Sequence, residues 1–172
     1  MSTATTKSSG QPTVVLEGRG LRIDDVVAVA RDGAPVVLGD TARAAMQRSA
    51  DLVEGFVASD SPVYGVTTGF GSLANTVIPP ERTAELQVAL VRSHATGMGD
   101  EVEREVARAL LLLRARSLSM GYSGVRPELV ELQTALLRAD IAPVVREHGS
   151  LGASGDLAPL SHCALVLIGE GE

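Results

Sequence analysis

The stretch EVEREVARALLLLRARSLSMG, residues 101–121, constrains the fold more than any other part of the chain. Val102, Val106, Leu110 and Leu113 recur at helical spacing and Gly121 supplies a stop, so a long helix with one apolar face is predicted. Such a helix gains most of its stability from elements packed on that face. The rest of the sequence supplies them. LRIDDVVAVARDG reads as a helix closed by the Asp32-Gly33 turn. TARAAMQRSADLVEGFVAS reads as a second, capped by Asp40, running to about Ala58 and facing inward with Met46, Ala50, Val53 and Val57. Pro79-Pro80 opens ERTAELQVALVRSHA, which Gly97 and Gly99 are expected to end, and Pro127 opens PELVELQTALLRAD. LAPLSHCALVLIGEGE resumes helical character with Pro159 near its start, while TVVLEG and APVVLGD read as short strands. No internal repeat is present.

A core for these helices has to be built from Leu, Val, Ala and Ile, because only 2% of the residues are aromatic and Trp is absent. Apolar residues make up 45% of the chain and charged residues 21%, which is a globular balance, and 172 residues suffice for one domain. The net charge of -6, with no cluster of Lys and Arg among aromatics, argues against a nucleic-acid partner. The single cysteine, Cys163, cannot form an intrachain disulfide and no C-x-x-C metal-ligand pair occurs, which points to a reducing compartment and no metal. MSTATTKSSGQPT lacks the apolar core of a secretory signal, and no apolar run approaches the ~20 residues of a membrane span. Residues 1–13 are therefore expected to be a disordered tail on a cytoplasmic protein without a membrane partner, with a folded unit over 14–172. The apolar run Leu165–Ile168 wants partners on several sides, as a buried helix of a longer chain would.

Two glycine-rich stretches interrupt the helices. SDSPVYGVTTGFGSLANT extends for roughly eighteen residues without periodicity, a length at which irregular segments are usually functional. The other, GSLGASGDLAPLSH, holds Ser154 between Ala153 and Gly155. Four readings compete for that serine. Ser154 or Asp156 is the N-cap of the following helix. Alternatively, Ser154 is a nucleophile with His94, His148 or His162 as base, although the sequence is not a G-x-S-x-G elbow. A phosphate site at the helix N-terminus is a third reading, against which stand a missing P-loop lysine and the charge of Asp156. The fourth is a backbone rearrangement. The Gly155 nitrogen attacks the Ala153 carbonyl carbon to close a five-membered ring, and loss of two waters turns Ser154 into an exocyclic methylidene. Gly155 lets its nitrogen approach closely, Ala153 is small, Ser154 supplies the leaving hydroxyl, and Asp156 is placed to move protons.

The surroundings give the tripeptide its meaning. SPVYGVTTGFG, LVRSHATGMG, GYSGVRPELVE and GASGDLAPLSHCAL, in this order, resemble the aromatic amino-acid ammonia-lyases and aminomutases across nearly the whole chain. The resemblance implies a mainly α fold, the N-terminal part of a fumarase/aspartase-like helical architecture with short strands near the N-terminus. It implies a 4-methylideneimidazole-5-one (MIO) group formed autocatalytically from Ala153, Ser154 and Gly155, with no metal or diffusible cofactor. In that chemistry the substrate's α-amine adds to the methylidene, ammonia becomes a better leaving group, and a β-proton is removed to give an unsaturated acid. Tyr64 matches the family's catalytic base, with Gly65, Gly69, Gly71 and Asp156 in support of the loops. Without the resemblance, Tyr64 would read as a loop tyrosine hydrogen-bonded to a carbonyl.

Ser93 and His94 match the pair that sets substrate side-chain selectivity. The Ser-His pair is similar to that of histidine ammonia-lyases and excludes a phenylalanine preference, whereas tyrosine ammonia-lyases and aminomutases remain as alternatives. Elimination of ammonia from L-histidine to give urocanate is the expected reaction. Family members are longer than this chain, so residues 14–172 are expected to be a MIO-bearing N-terminal portion, truncated before a central helical bundle and inactive alone. A homotetramer with shared active sites is implied. An inactive chain or a binding module with an uncyclised loop is the non-enzymatic alternative. His148, His162 and Cys163 read as structural, and Arg92, Arg126 and Glu128 as ion-paired surface residues.

Overall fold

A computed structural model describes residues 10–59, 62–153 and 155–172. Most of the expected tail, residues 1–9, lies outside the described residues, as does Ser154. Two short strands open the fold. β1 (Val14–Leu16) and β2 (Val36–Leu38) pair in parallel, Val14 opposite Val36 and Leu16 opposite Leu38, and α1 (Ile23–Ala30) makes the crossover between them. Two parallel strands bury too little alone, so they are covered by helices: α2 (Asp40–Val57), α4 (Arg104–Leu118) and α5 (Pro127–Arg138). Leu16, Val29, Val36, Met46, Leu111, Leu112, Ala115, Leu118 and Val130 fill the space among these elements. No aromatic side chain is among the buried core residues described.

The remaining elements form a second layer. α3 (Pro80–His94) packs along α6 (Leu157–Leu167), and β3 (Met98–Glu101) pairs antiparallel with β4 (Arg146–His148). Val145, just before β4, and Cys163, on α6, anchor this layer to the core. The architecture is mainly helical, as the periodicity predicts.

The details depart from expectation where tertiary contacts outweigh pattern. α4 turns Ala107, Arg108, Leu111, Leu112, Ala115 and Leu118 inward, leaving Val106 and Leu113 nearly half exposed. Small and long residues at the contact let α4 approach α1 and α5, and that selects a face rotated from the one Val106 and Leu113 define. On α2, Ala42, Met46 and Ala50 are buried but Val57 is exposed. α3 stops at His94, so Gly97 and Gly99 do not end it: Gly97 follows the helix and Gly99 lies within β3, a strand exposed at all four residues and without the alternation that would reveal it.

Asp40 is not a cap but the first helical residue of α2, and the N-cap is Gly39. The carboxylate of Glu17, arriving from β1, accepts the Ala42 N–H at 3.1 Å and does the cap's work. A Cβ at position 39 would collide with that carboxylate.

Candidate active site

The glycine-rich loop leaves β4 at His148 and enters α6 at Leu157. Ser150 Oγ donates to the Asp156 carboxylate and accepts the Gly152 N–H at 3.4 Å, so the loop is tied across its base. Asp156 stands at the N-cap position of α6, yet its side chain makes no cap bond and turns to Ser150 instead. Asp156 is thus the N-cap residue by position, its carbonyl accepting the Leu160 N–H at 3.1 Å, but without a side-chain cap bond.

Ala153 and Gly155 are both exposed. Gly155 has φ +85°, and among the described residues, its chain neighbours aside, no atom lies within 4 Å of the place a Cβ would occupy. An L-residue adopts such a φ at a cost of roughly 1–2 kcal/mol, so glycine is required for the turn and leaves its amide open to approach. Small residues, a tied base, an exposed Ala153 and open space beside Gly155 fit the demands of an internal five-membered ring.

Ser93 and His94 end α3. Ser93 Oγ donates to the Leu90 carbonyl at 2.9 Å, and His94 Nδ1 stands 2.9 Å from that carbonyl and 3.0 Å from Ser93 Oγ. A carbonyl only accepts, so Nδ1 carries the ring proton and Nε2 is left as an acceptor. The pair therefore offers a lone pair to an N–H or O–H of a ligand and has nothing for a plain phenyl ring.

This end of α3 meets the base of the tripeptide loop. Three residues past His94, the Gly97 N–H donates to His162 Nε2 on α6 at 3.0 Å. A Cβ on Gly149, the residue that opens the loop, would stand 3.4 Å from Gly97 Cα and 3.1 Å from Ala158 Cβ. Burial, and then the nearby Arg146 guanidinium, hold the His162 imidazole below its ordinary pKa and keep it neutral. His148, by contrast, is exposed beside Glu147. Cys163 is a buried core residue whose thiol is pushed up to about 11 by burial. Arg92 forms a two-pronged ion pair with Glu170, the longer contact being 2.7 Å.

Tyr64 sits apart, in the other irregular stretch. Thr67 Oγ1 accepts the Val63 N–H at 2.8 Å, and the buried Thr68 hydroxyl accepts the Gly65 N–H at 3.3 Å and donates to the Gly69 carbonyl at 3.1 Å. Gly69 N–H donates to Thr76, and the isolated bridge of Thr68 with Val77 closes the loop. The Tyr64 ring meets Phe70 edge-on, centroids 5.8 Å apart, and its hydroxyl accepts the Gly71 N–H at 3.4 Å. The side chain is 63% exposed. Among the described residues, no hydrogen bond or ring contact joins Tyr64 to residues 149–156.

Sequence reasoning missed the His162–Gly97 contact and the hydroxyl network of Thr67 and Thr68. The adjacent threonines in VTTGFG, in a segment without strand or helix pattern, were the available signal for the latter. Among the described residues, no group of three His, Cys, Asp or Glu side chains could hold a metal ion.

A histidine ammonia-lyase of Streptomyces griseus is 54% identical over 93% of this chain and 31% of its own length. The crystal structure of a tyrosine aminomutase from Streptomyces globisporus superposes with a TM-score of 0.87 at 39% identity, over 93% of this chain and 30% of that one. Histidine ammonia-lyase from Trypanosoma cruzi gives a TM-score of 0.84 at 36% identity, over 93% and 30%. The chain thus spans about a third of the length of the curated relatives it matches. The family model for aromatic amino acid lyases matches residues 21–172, and the chain belongs to that family.

Proposed function

We propose that the whole protein carrying this chain is a histidine ammonia-lyase, converting L-histidine to urocanate and ammonia. Residues 14–172 are its MIO-bearing N-terminal portion, and the active enzyme is a cytoplasmic homotetramer whose sites are completed by residues beyond this chain. Among the described residues, no helix is long and apolar enough to cross a membrane. The observation that carries the reading is the tied loop of Ala153 and Gly155, open around Gly155, whose base at Gly149 packs on Gly97 three residues past the Ser93-His94 pair.

MIO, formed from Ala153, Ser154 and Gly155, supplies an electrophile for the substrate's α-amine that no ordinary side chain provides. The chain's own residues do the rest. His94 Nε2 accepts the N–H of the substrate imidazole and orients the side chain. Tyr64 acts as the phenolate, its oxygen the acceptor of the Gly71 N–H; it takes the β-proton as the Cα–N bond breaks and ends the step as the neutral phenol. The C–H electron pair becomes the double bond, and ammonia leaves with the C–N pair. Ser150 and Asp156 hold the loop in place throughout.

A second reading has its own support: the accepting Nε2 suits a phenol O–H equally, and the chain is similar to a solved tyrosine aminomutase. Incubating the whole protein with L-histidine, L-tyrosine or L-phenylalanine decides the substrate. Urocanate from L-histidine is the expected product, followed by its ultraviolet absorbance. Coumarate or β-tyrosine from L-tyrosine, with no urocanate, would install the second reading. No product from any of the three would leave a binding module and refute both.

A further inference from the structure

We propose that His162 is a positioning residue: by accepting the Gly97 N–H it fixes the Ser93-His94 end of α3 relative to the Ala153–Gly155 loop. The inference rests on the lyase reading above. Two groups that must act on one substrate stand on different elements, the imidazole of His94 on α3 and the tripeptide on the loop before α6. Among the described residues, the hydrogen bond that links the segment just past His94 to α6 is Gly97 N–H to His162 Nε2, at 3.0 Å.

The packing there leaves little room for adjustment. A Cβ on Gly97 would meet His162 Nε2 at 2.9 Å and the Arg146 Cβ at 3.1 Å, and a Cβ on Gly149 would crowd Ala158. Imidazole, Gly97 and Gly149 therefore interlock where α3, β4, the loop and α6 converge. The bond demands a neutral ring, since a proton on Nε2 would face the Gly97 N–H with a second donor. The charged residues that line the same cavity as His162 are Arg146 from β4 and Glu170 and Glu172 of the segment after α6, Glu170 being held by Arg92 of α3. Burial and Arg146 favour the neutral form.

The test compares wild type, His162→Leu and His162→Gln in the whole protein, by intact mass and by kcat and KM for L-histidine across about pH 5–9. Leucine cannot accept the Gly97 N–H, and a misplaced reacting pair costs mainly kcat: a fall of about 100-fold is expected, with KM changing less and the two-water mass loss retained. The glutamine carbonyl can accept, so His162→Gln restores most of that loss. Because glutamine does not titrate, that variant also keeps its activity further to the acid side than wild type. A wild-type kcat in His162→Leu, or an equal kcat loss in both variants, would overturn the proposal. Should His162→Leu fail to fold, the acid limb of His162→Gln decides: a limb unchanged from wild type overturns it. A wild-type protein with neither water loss nor product refutes the lyase reading and this inference with it. Active wild type with an indifferent His162 refutes this inference alone.

Discussion

The guanidinium of Arg108, only 2% exposed, stands 3.1 Å from the Asp140 carboxylate. Around that pair it gathers the carbonyls of two helix ends, Val29 at 2.7 Å and Ala30 at 3.0 Å from α1 and Leu137 at 3.3 Å from α5. Burial lowers the pKa of the guanidinium and Asp140 acts against that shift, while the carbonyls that α1 and α5 would leave orphaned are satisfied. Replacing Arg108 by methionine removes every donor at once and is expected to cost about 3 kcal/mol, read as a lower urea midpoint with an unchanged slope. Arg108→Lys should recover little, because an ammonium cannot fork to three carbonyls and a carboxylate. A midpoint within error of wild type for Arg108→Met would show that the carbonyls find other partners.

Glu17 and Gly39 act as one cap. Glu17→Ala deletes the acceptor for the Ala42 N–H, and Gly39→Ala places a methyl where the Glu17 carboxylate lies. Each change should cost about 1 kcal/mol, the ordinary value of an N-cap, and the double variant should cost scarcely more than either single one. Additive losses in thermal or urea unfolding would separate the two residues.

Cys163 should be inert in the native protein. With its thiol pushed up to about 11 and its side chain buried, the thiolate population is small near neutral pH. Iodoacetamide is expected to leave the folded protein unlabelled and to label it fully in denaturant. Fast labelling of the folded form would mean that α6 opens readily from the core.

Tyr64→Phe removes the proposed base together with one long hydrogen bond, from the Gly71 N–H at 3.4 Å, while the rest of the backbone there stays held by the hydroxyls of Thr67 and Thr68. Turnover in the whole protein should fall by about 100- to 10,000-fold while the melting temperature stays near that of wild type. Thr68→Val, by contrast, should disturb the loop and the activity together. An active Tyr64→Phe would move the role of base to another group.

Much of this was legible in the sequence, and the limits have physical causes. Helix positions followed from the 3.6-residue period and from prolines at their starts, as at Pro80 and Pro127. The inward face of α4 did not, because Arg108 reads as a surface residue until the two helix ends it serves are known. β3 and β4 were invisible because Met98–Glu101 and Arg146–His148 lack an alternating apolar pattern and pair across a distance no local pattern encodes. At the candidate site, the motifs supplied the candidate residues, while the tautomer of His94 and the grip of His162 on Gly97 emerge only from hydrogen-bond geometry.

The central claim is that Ala153, Ser154 and Gly155 become a ring, and the intact mass of the whole protein under denaturing conditions tests it most directly. The account predicts a mass two waters below that of the translated sequence, with a Ser154→Ala variant at its full translated mass. A wild-type mass with no water lost would contradict it, and the glycine-rich loop would then be an ordinary entry to α6.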